Sequence, residues 1–175
     1  MKEFIYKLYE KGLKRNFKDL KNYNSNKPVE IGNIYMGNLD ERGIFFVVVD
    51  KIGKDYFECF KMSTYWELGS INDILYEDNF LGKFIIQTDL NFYLHINEIK
   101  GFKNISKLDK KFIEKLLNYR EMDTESKLKY KELKRGLYYP FGNRWIEKFK
   151  ENELNLIRNY HLRIFNILDE LEEKT

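Results

Sequence analysis

Cys59, His95 and His161 are the side chains of this sequence best suited to nucleophilic or metal chemistry, and their setting argues for neither. Cys59 is the only cysteine and stands in an apolar run, Tyr56-Phe57-Glu58-Cys59-Phe60, so it reads as a small buried hydrophobe with no disulfide partner. The two histidines lie far apart with no Cys/His ligand spacing, and structural roles suit both. Gly32 and Gly37 interrupt a strand pattern and lack the Lys-Ser/Thr ending of a phosphate loop. Carboxylates are plentiful, but no catalytic pair stands out. A cationic run, from Lys107, Lys110, Lys111 and Lys115 through Arg120 to Lys127, Lys129, Lys131, Lys134 and Arg135, has the charge to meet nucleic acid. It is interleaved with Asp109, Glu114, Glu121, Asp123, Glu125 and Glu132, which makes it a salt-bridged, solvated face instead.

Charge is unevenly distributed. Residues 22–100 hold 7 Lys/Arg against 12 Asp/Glu, a net of −5. Residues 1–21 are +4 (7 against 3) and residues 101–175 are +4 (17 against 13), so the overall +3 hides a negative middle between positive flanks. A negative middle attracts phosphates poorly. With 43% hydrophobic and 34% charged residues in 175, the chain is suited to one folded domain with an extension. Met1-Lys2-Glu3 runs straight into an amphipathic pattern, and no apolar run approaches the ~20 residues of a membrane span. The expectation is a cytoplasmic protein that meets no membrane.

The elements around these residues follow from periodicity. Residues 1–21 read as an N-terminal amphipathic helix, with Phe4, Ile5, Leu8, Tyr9, Leu13, Phe17 and Leu20 on one face and Lys and Arg on the other. Strands are expected at Ile31–Leu39, Ile44–Asp50 and Tyr56–Met62, a short helix at Ile71–Tyr76, and a hairpin of Lys83–Thr88 and Phe92–His95 across Asp89-Leu90-Asn91. Ser106-Lys107-Leu108-Asp109 resembles a capping box opening a helix with Phe112, Ile113, Leu116 and Leu117 inward. Asp123 or Thr124 caps a second helix, and Arg144 to about Glu173 reads as one long helix. Its stripe of Ile157, Tyr160, Ile164, Ile167 and Leu171 steps 3, 4, 3, 4, widened by Leu154, Phe165 and Leu168. A helix ~45 Å long outreaches a small domain. The stripe is therefore a protein-contact face, whose far half meets either residues 1–21 or a partner protein.

The order of these pieces from Val29 to Leu117 resembles the MazF/PemK toxin family. The pieces are a glycine-led strand (Ile31-Gly32-Asn33-Ile34-Tyr35-Met36), a loop with Arg (Asp40-Glu41-Arg42-Gly43), and an apolar strand (Ile44 to Val49). A strand ending in hydroxyl residues follows (Phe57 to Ser63-Thr64), then a capped helix. The resemblance implies an α+β fold: a small SH3-like antiparallel β-barrel with its closing helix over 29–120, flanked by the N-terminal helix and by a helical extension over 123–175. In active members it implies RNA cleavage without a metal or cofactor, by attack of the RNA's own 2′-OH. Arg42 then stabilises the phosphorane charge, since a guanidinium forks phosphate oxygens, and Ser63 or Thr64 holds the scissile phosphate. The chain departs from the pattern at Gly43, where the family commonly has Pro, and at Asp40 and Glu41, which lower phosphate affinity beside Arg42.

Two functional expectations follow. A second resemblance, carried by the barrel-then-helical-tail order and the acidic middle, is to MazF-like subunits of type III CRISPR effectors that work with a Lon-type protease. It implies a protein-binding regulatory module of anti-sigma type in antiviral defence: the partner is a sigma factor, released when the protease cuts the charged tail. The alternative is an active endoribonuclease toxin, a homodimer with an antitoxin as protein partner and RNA as substrate. Neither needs a cofactor.

Overall fold

The computed structural model describes residues 28–78, 81–134 and 144–173. The expected N-terminal helix lies outside them. Six strands, β1 (Asn33–Leu39), β2 (Arg42–Ile52), β3 (Tyr56–Ser63), β4 (Asp73–Asp78), β5 (Gly82–His95) and β6 (Lys103–Lys107), form one antiparallel sheet in the order β4-β5-β3-β2-β1-β6. Five helices follow β5: α1 (Ile96–Ile99), α2 (Lys110–Glu121), α3 (Thr124–Lys134), α4 (Arg144–His161) and α5 (Ile164–Glu173). The fold is α+β, and the sheet is not closed into a barrel. It curls until its edge strands approach, and there the Ser106 hydroxyl of β6 donates to Asp78 Oδ2 of β4 at 2.9 Å.

Both faces of the sheet are covered, which explains the unbroken apolar run of β2. Phe45, Val47 and Val49 point into a first cluster with Ile34, Phe60, Phe84, Ile113, Leu116 and Tyr119. Ile44, Phe46 and Val48 point into a second with Tyr35, Phe57, Phe92, Phe102 and Ile157. The first lies under α2, the second under α4. At the start of β1, Gly32 (φ 98°) accepts from the Leu108 N–H at 2.8 Å, and a Cβ there would run into the Leu108 carbonyl oxygen. Glycine is thus required where the chain passes under β6.

Four expectations are corrected. Ile71–Tyr76 is not helical. Its second half is β4, because Ile74 and Tyr76 alternate inward around exposed Leu75. Lys83–His95 is one strand, not a hairpin: Leu90 is buried in the second cluster, so the chain bulges there instead of turning, and pairing with β3 jumps from Gln87 to Asn91. Ser106 does not cap a helix, because Lys103–Lys107 pairs with β1; the cap is Asp109, whose Oδ1 accepts from Phe112 N–H at 2.8 Å. The last helix breaks at Leu162–Arg163, where Arg163 turns to pair with both Glu98 oxygens.

Candidate functional site

The β1–β2 connection is a two-residue turn. Asp40 (φ 49°) and Glu41 (φ 68°) both occupy the left-handed region, and Leu39 pairs directly with Arg42. This is the geometry of a primed hairpin turn, tight and strained for a Glu. Arg42 is exposed at the first position of β2, on the same face as Ile44 and Phe46. Phe45 pairs with Met62, so β2 and β3 bring Gly43 and Thr64 two steps further along. The register thus gathers Arg42, Ser63 and Thr64 at one corner of the sheet. Ser63 is buried, and its Oγ accepts from the Tyr65 N–H at 3.1 Å. Thr64 is half-buried. The space beside Gly43, Ser63 and Thr64 is about 20 Å³, walled by Lys61, Tyr65 and Glu153. That holds about one water, whereas small-molecule sites run to several hundred cubic ångströms.

Helix α4 closes this corner, and its seat is charged. Lys61 Nζ of β3 meets Glu153 Oε1 at 2.6 Å, with side chains only 4% and 3% exposed. Lys61 also donates to the Met62 carbonyl, and Gln87 Nε2 approaches the same Glu153 oxygen at 3.5 Å. One turn earlier, Lys150 bridges Asp73 and Asp89. Burial pushes the Asp73 carboxyl up, although Lys150 opposes it. Burial also works against the Lys150 ammonium, but the two carboxylates outweigh it and hold its pKa above the usual lysine value. Lys131 of α3 donates to the Asp73 carbonyl, and burial lowers its pKa to about 8. Apolar contacts complete the seat: Ile146 and Phe149 pack with Tyr65, Leu68 and Ile85, and Ile157 enters the second cluster.

The contact stripe divides between sheet and solvent. Ile157 and Ile167 are buried, and Ile164 is half-buried. The half-buried Tyr160 donates its hydroxyl to Asp40 Oδ1 at 2.9 Å, tying the end of α4 to the Arg42 turn. Leu171 is partly exposed and lies against Gly53 in the β2–β3 turn. Phe165 and Leu168, which widened the stripe, are exposed together with Leu162.

Sequence reasoning did not single out Lys61, Asp73, Lys150 or Glu153. A signal for two of them was present. Lys61 breaks the apolar run Phe60-Lys61-Met62, and Glu153 sits between Phe149 and Ile157 at steps of four, on the face that α4 buries. The candidates for covalent and metal chemistry are occupied otherwise. Burial pushes the Cys59 thiol well up. His95 caps α1, its Nδ1 accepting from the Asn97 N–H at 3.1 Å, and His161 Nδ1 donates to the Asn91 carbonyl at 2.6 Å. Among the described residues no three His, Cys, Asp or Glu side chains gather where they could hold a metal ion, and no helix is long and apolar enough to cross a membrane. The chain matches no protein-family model, no curated protein and no solved structure.

Proposed function

We propose that the chain is a MazF-like, protein-binding regulatory module of anti-sigma type, controlled by proteolysis in CRISPR antiviral signalling, with an SH3-like ancestry for its curled sheet. The observation that carries the non-nucleolytic half of this reading is the filled space beside Ser63 and Thr64, next to the Arg42 turn. A phosphate site there needs a loop that wraps the anion and a hydroxyl with room for the anion beside it. The turn has only two residues, both acidic, Ser63 is buried with its Oγ accepting from the Tyr65 N–H, and about 20 Å³ remains beside it. The partner role rests on the resemblance stated above and on the acidic middle of the chain.

The test has two arms. Purified protein is incubated with a long mixed-sequence RNA beside an Arg42→Ala control, and it is co-expressed with the products of the genes adjacent to its own. No metal-independent cleavage together with a stable complex containing a sigma factor or a protease is the expected result. Efficient cleavage that disappears in the control overturns the reading in favour of the endoribonuclease toxin. The observation favouring that alternative is the register that gathers Arg42, Ser63 and Thr64 at one corner.

A further inference from the structure

The two edges of the sheet are finished differently. β6 carries Lys103 and Lys107 at its ends, and its pairing with β1 shifts register between Ile34 and Tyr35. Lysines and bulges are devices that keep an edge from taking another strand. β4 has neither. Asp73-Ile74-Leu75-Tyr76-Glu77-Asp78 holds no lysine or proline and pairs with β5 in unbroken register.

Ladder geometry fixes which backbone groups β4 turns outward. The Thr88 N–H donates to the Asn72 carbonyl at 3.3 Å, so Asn72 faces β5, and inward and outward positions alternate along an antiparallel strand. Asp73, Leu75 and Glu77 therefore turn their N–H and C=O groups away from β5. Asp73 is satisfied: its N–H donates to the Ser70 carbonyl at 3.1 Å, and its carbonyl accepts from Lys131. Among the described residues nothing meets the outward N–H and C=O groups of Leu75 and Glu77.

The side chains agree with the backbone. Among the described residues Leu75, 41% exposed, is the only large apolar side chain of a strand that stands in solvent. On the opposite face of β4, Tyr76 packs edge-on against Phe112, and both are half-buried. Glu77 is exposed and forms no ion pair among the described residues, because Lys83, opposite it on β5, holds its ammonium over the Trp66 ring at 4.7 Å. What completes this edge is an extended backbone that sets a branched or aromatic side chain beside Leu75 and a cation beside Glu77. A second copy of β4 would bring its own carboxylates here, and like charges facing across a strand pair repel.

We infer that the Leu75–Glu77 edge of β4 binds an extended, basic segment of a partner protein by strand addition. The added strand exchanges backbone hydrogen bonds with Leu75 and Glu77 and covers the Leu75 side chain. The inference holds whichever activity belongs to the Arg42 corner.

The probe is a short synthetic peptide of alternating Lys and Val, titrated into the isotope-labelled full chain. Hydrogen exchange at the Leu75 and Glu77 amides, fast in the free protein, should slow about ten-fold or more in the complex. Leu75→Pro removes an N–H that β5 does not use, and an edge strand accepts proline at such a position, so the fold should hold while peptide affinity falls about ten-fold or more. Glu77→Lys keeps the ladder whatever proline does to it, and should weaken the Lys–Val peptide while favouring one of alternating Glu and Val. No binding of the Lys–Val peptide overturns the inference, as does binding that both variants leave unchanged. Equal binding of a peptide of alternating Lys and Gly also overturns it, since charge without strand propensity would then suffice. A wild-type dimer that Leu75→Pro converts to a monomer gives the edge to a second copy, which overturns it too.

Discussion

Replacing Glu153 with Leu is the sharpest test of how α4 is seated. The Lys61–Glu153 pair is 2.6 Å apart and almost fully buried. At an effective dielectric of about 20, its Coulomb attraction is about 6 kcal/mol. Taking two ions out of water costs several kcal/mol each, so the intact pair contributes little net stability. Removing one partner is different, because the other charge stays buried without its counter-ion. For Glu153→Leu that charge is Lys61, left with the Met62 carbonyl at 3.4 Å, and the expected cost is about 3–5 kcal/mol. Lys61→Met in the same molecule should restore most of it, since apolar replacements of a buried pair are often neutral or better.

Trp66 and Trp145 both lie near the start of α4, so urea unfolding followed by tryptophan fluorescence reports on this contact. Each single variant strands a buried charge and the double variant strands none, so the double-mutant cycle should give a coupling of at least about 3 kcal/mol. A loss below about 1 kcal/mol for Glu153→Leu would mean the pair is hydrated and α4 does not sit where it is described. A double variant as unstable as the worse single one would refute the argument from unpaired charge.

Lys131→Met should stabilise the protein at pH 7. The lysine's folded value, about 8, is below the ordinary 10.5, so the native state sheds its proton first as pH rises. The wild type bears the full cost of the buried ammonium below pH 8 and recovers it between pH 8 and 10.5. The advantage of the variant, of order 2–3 kcal/mol at pH 7, should therefore shrink across that window in melting curves; an advantage that grows with pH contradicts the assignment. Gly32→Ala should cost several times as much as Gly82→Ala. Both residues have positive φ, but only Gly32 meets backbone, while nothing lies within 4 Å of a Cβ at Gly82; equal losses in Tm would show that strain alone matters. Glu41→Gly should add about 1 kcal/mol by relieving a left-handed Glu, and a loss of stability would mean that the turn is held by its side chain. Ile167→Asp, at a buried position of α5, should lower Tm by many degrees, a fall of about 3 kcal/mol or more; an unchanged Tm would place the stripe in solvent.

The parts of this fold legible in sequence are those fixed by local pattern. The β2 run, the Cys59 strand and the Asp123 cap of α3, whose Oδ1 accepts from Ser126 N–H at 2.7 Å, needed only neighbours along the chain. What was misread depends on distant partners. Asp89-Leu90-Asn91 has the composition of a turn, and burial of Leu90 in the second cluster carries β5 through it as a bulge instead. Lys103–Lys107 looks like a helix approach until β1 pairs with it. The same holds at the Arg42 corner. The resemblance grouped its three residues, but the helix that fills the space beside Ser63 and Thr64 comes from about ninety residues further on, as the Lys61–Glu153 contact does.

The charge contrast of the sequence finds its use inside the molecule. The acidic middle lends Asp73, Asp89, Glu58, Glu98 and Glu30, and the basic C-terminal part returns Lys150 to the first two, Arg120 to Glu58, Arg163 to Glu98 and Lys107 to Glu30. Lys131 and Lys127 add bonds to the Asp73 carbonyl and to the Asn72 side chain. These are cations a reader would otherwise assign to a phosphate backbone. Several are half-buried or more, and a lysine held between two carboxylates has little left to offer an RNA. Within the interleaved run, Arg120, Lys127 and Lys131 therefore tether α2 and α3 to the sheet side, whereas Lys129 pairs with Glu125 along its own helix.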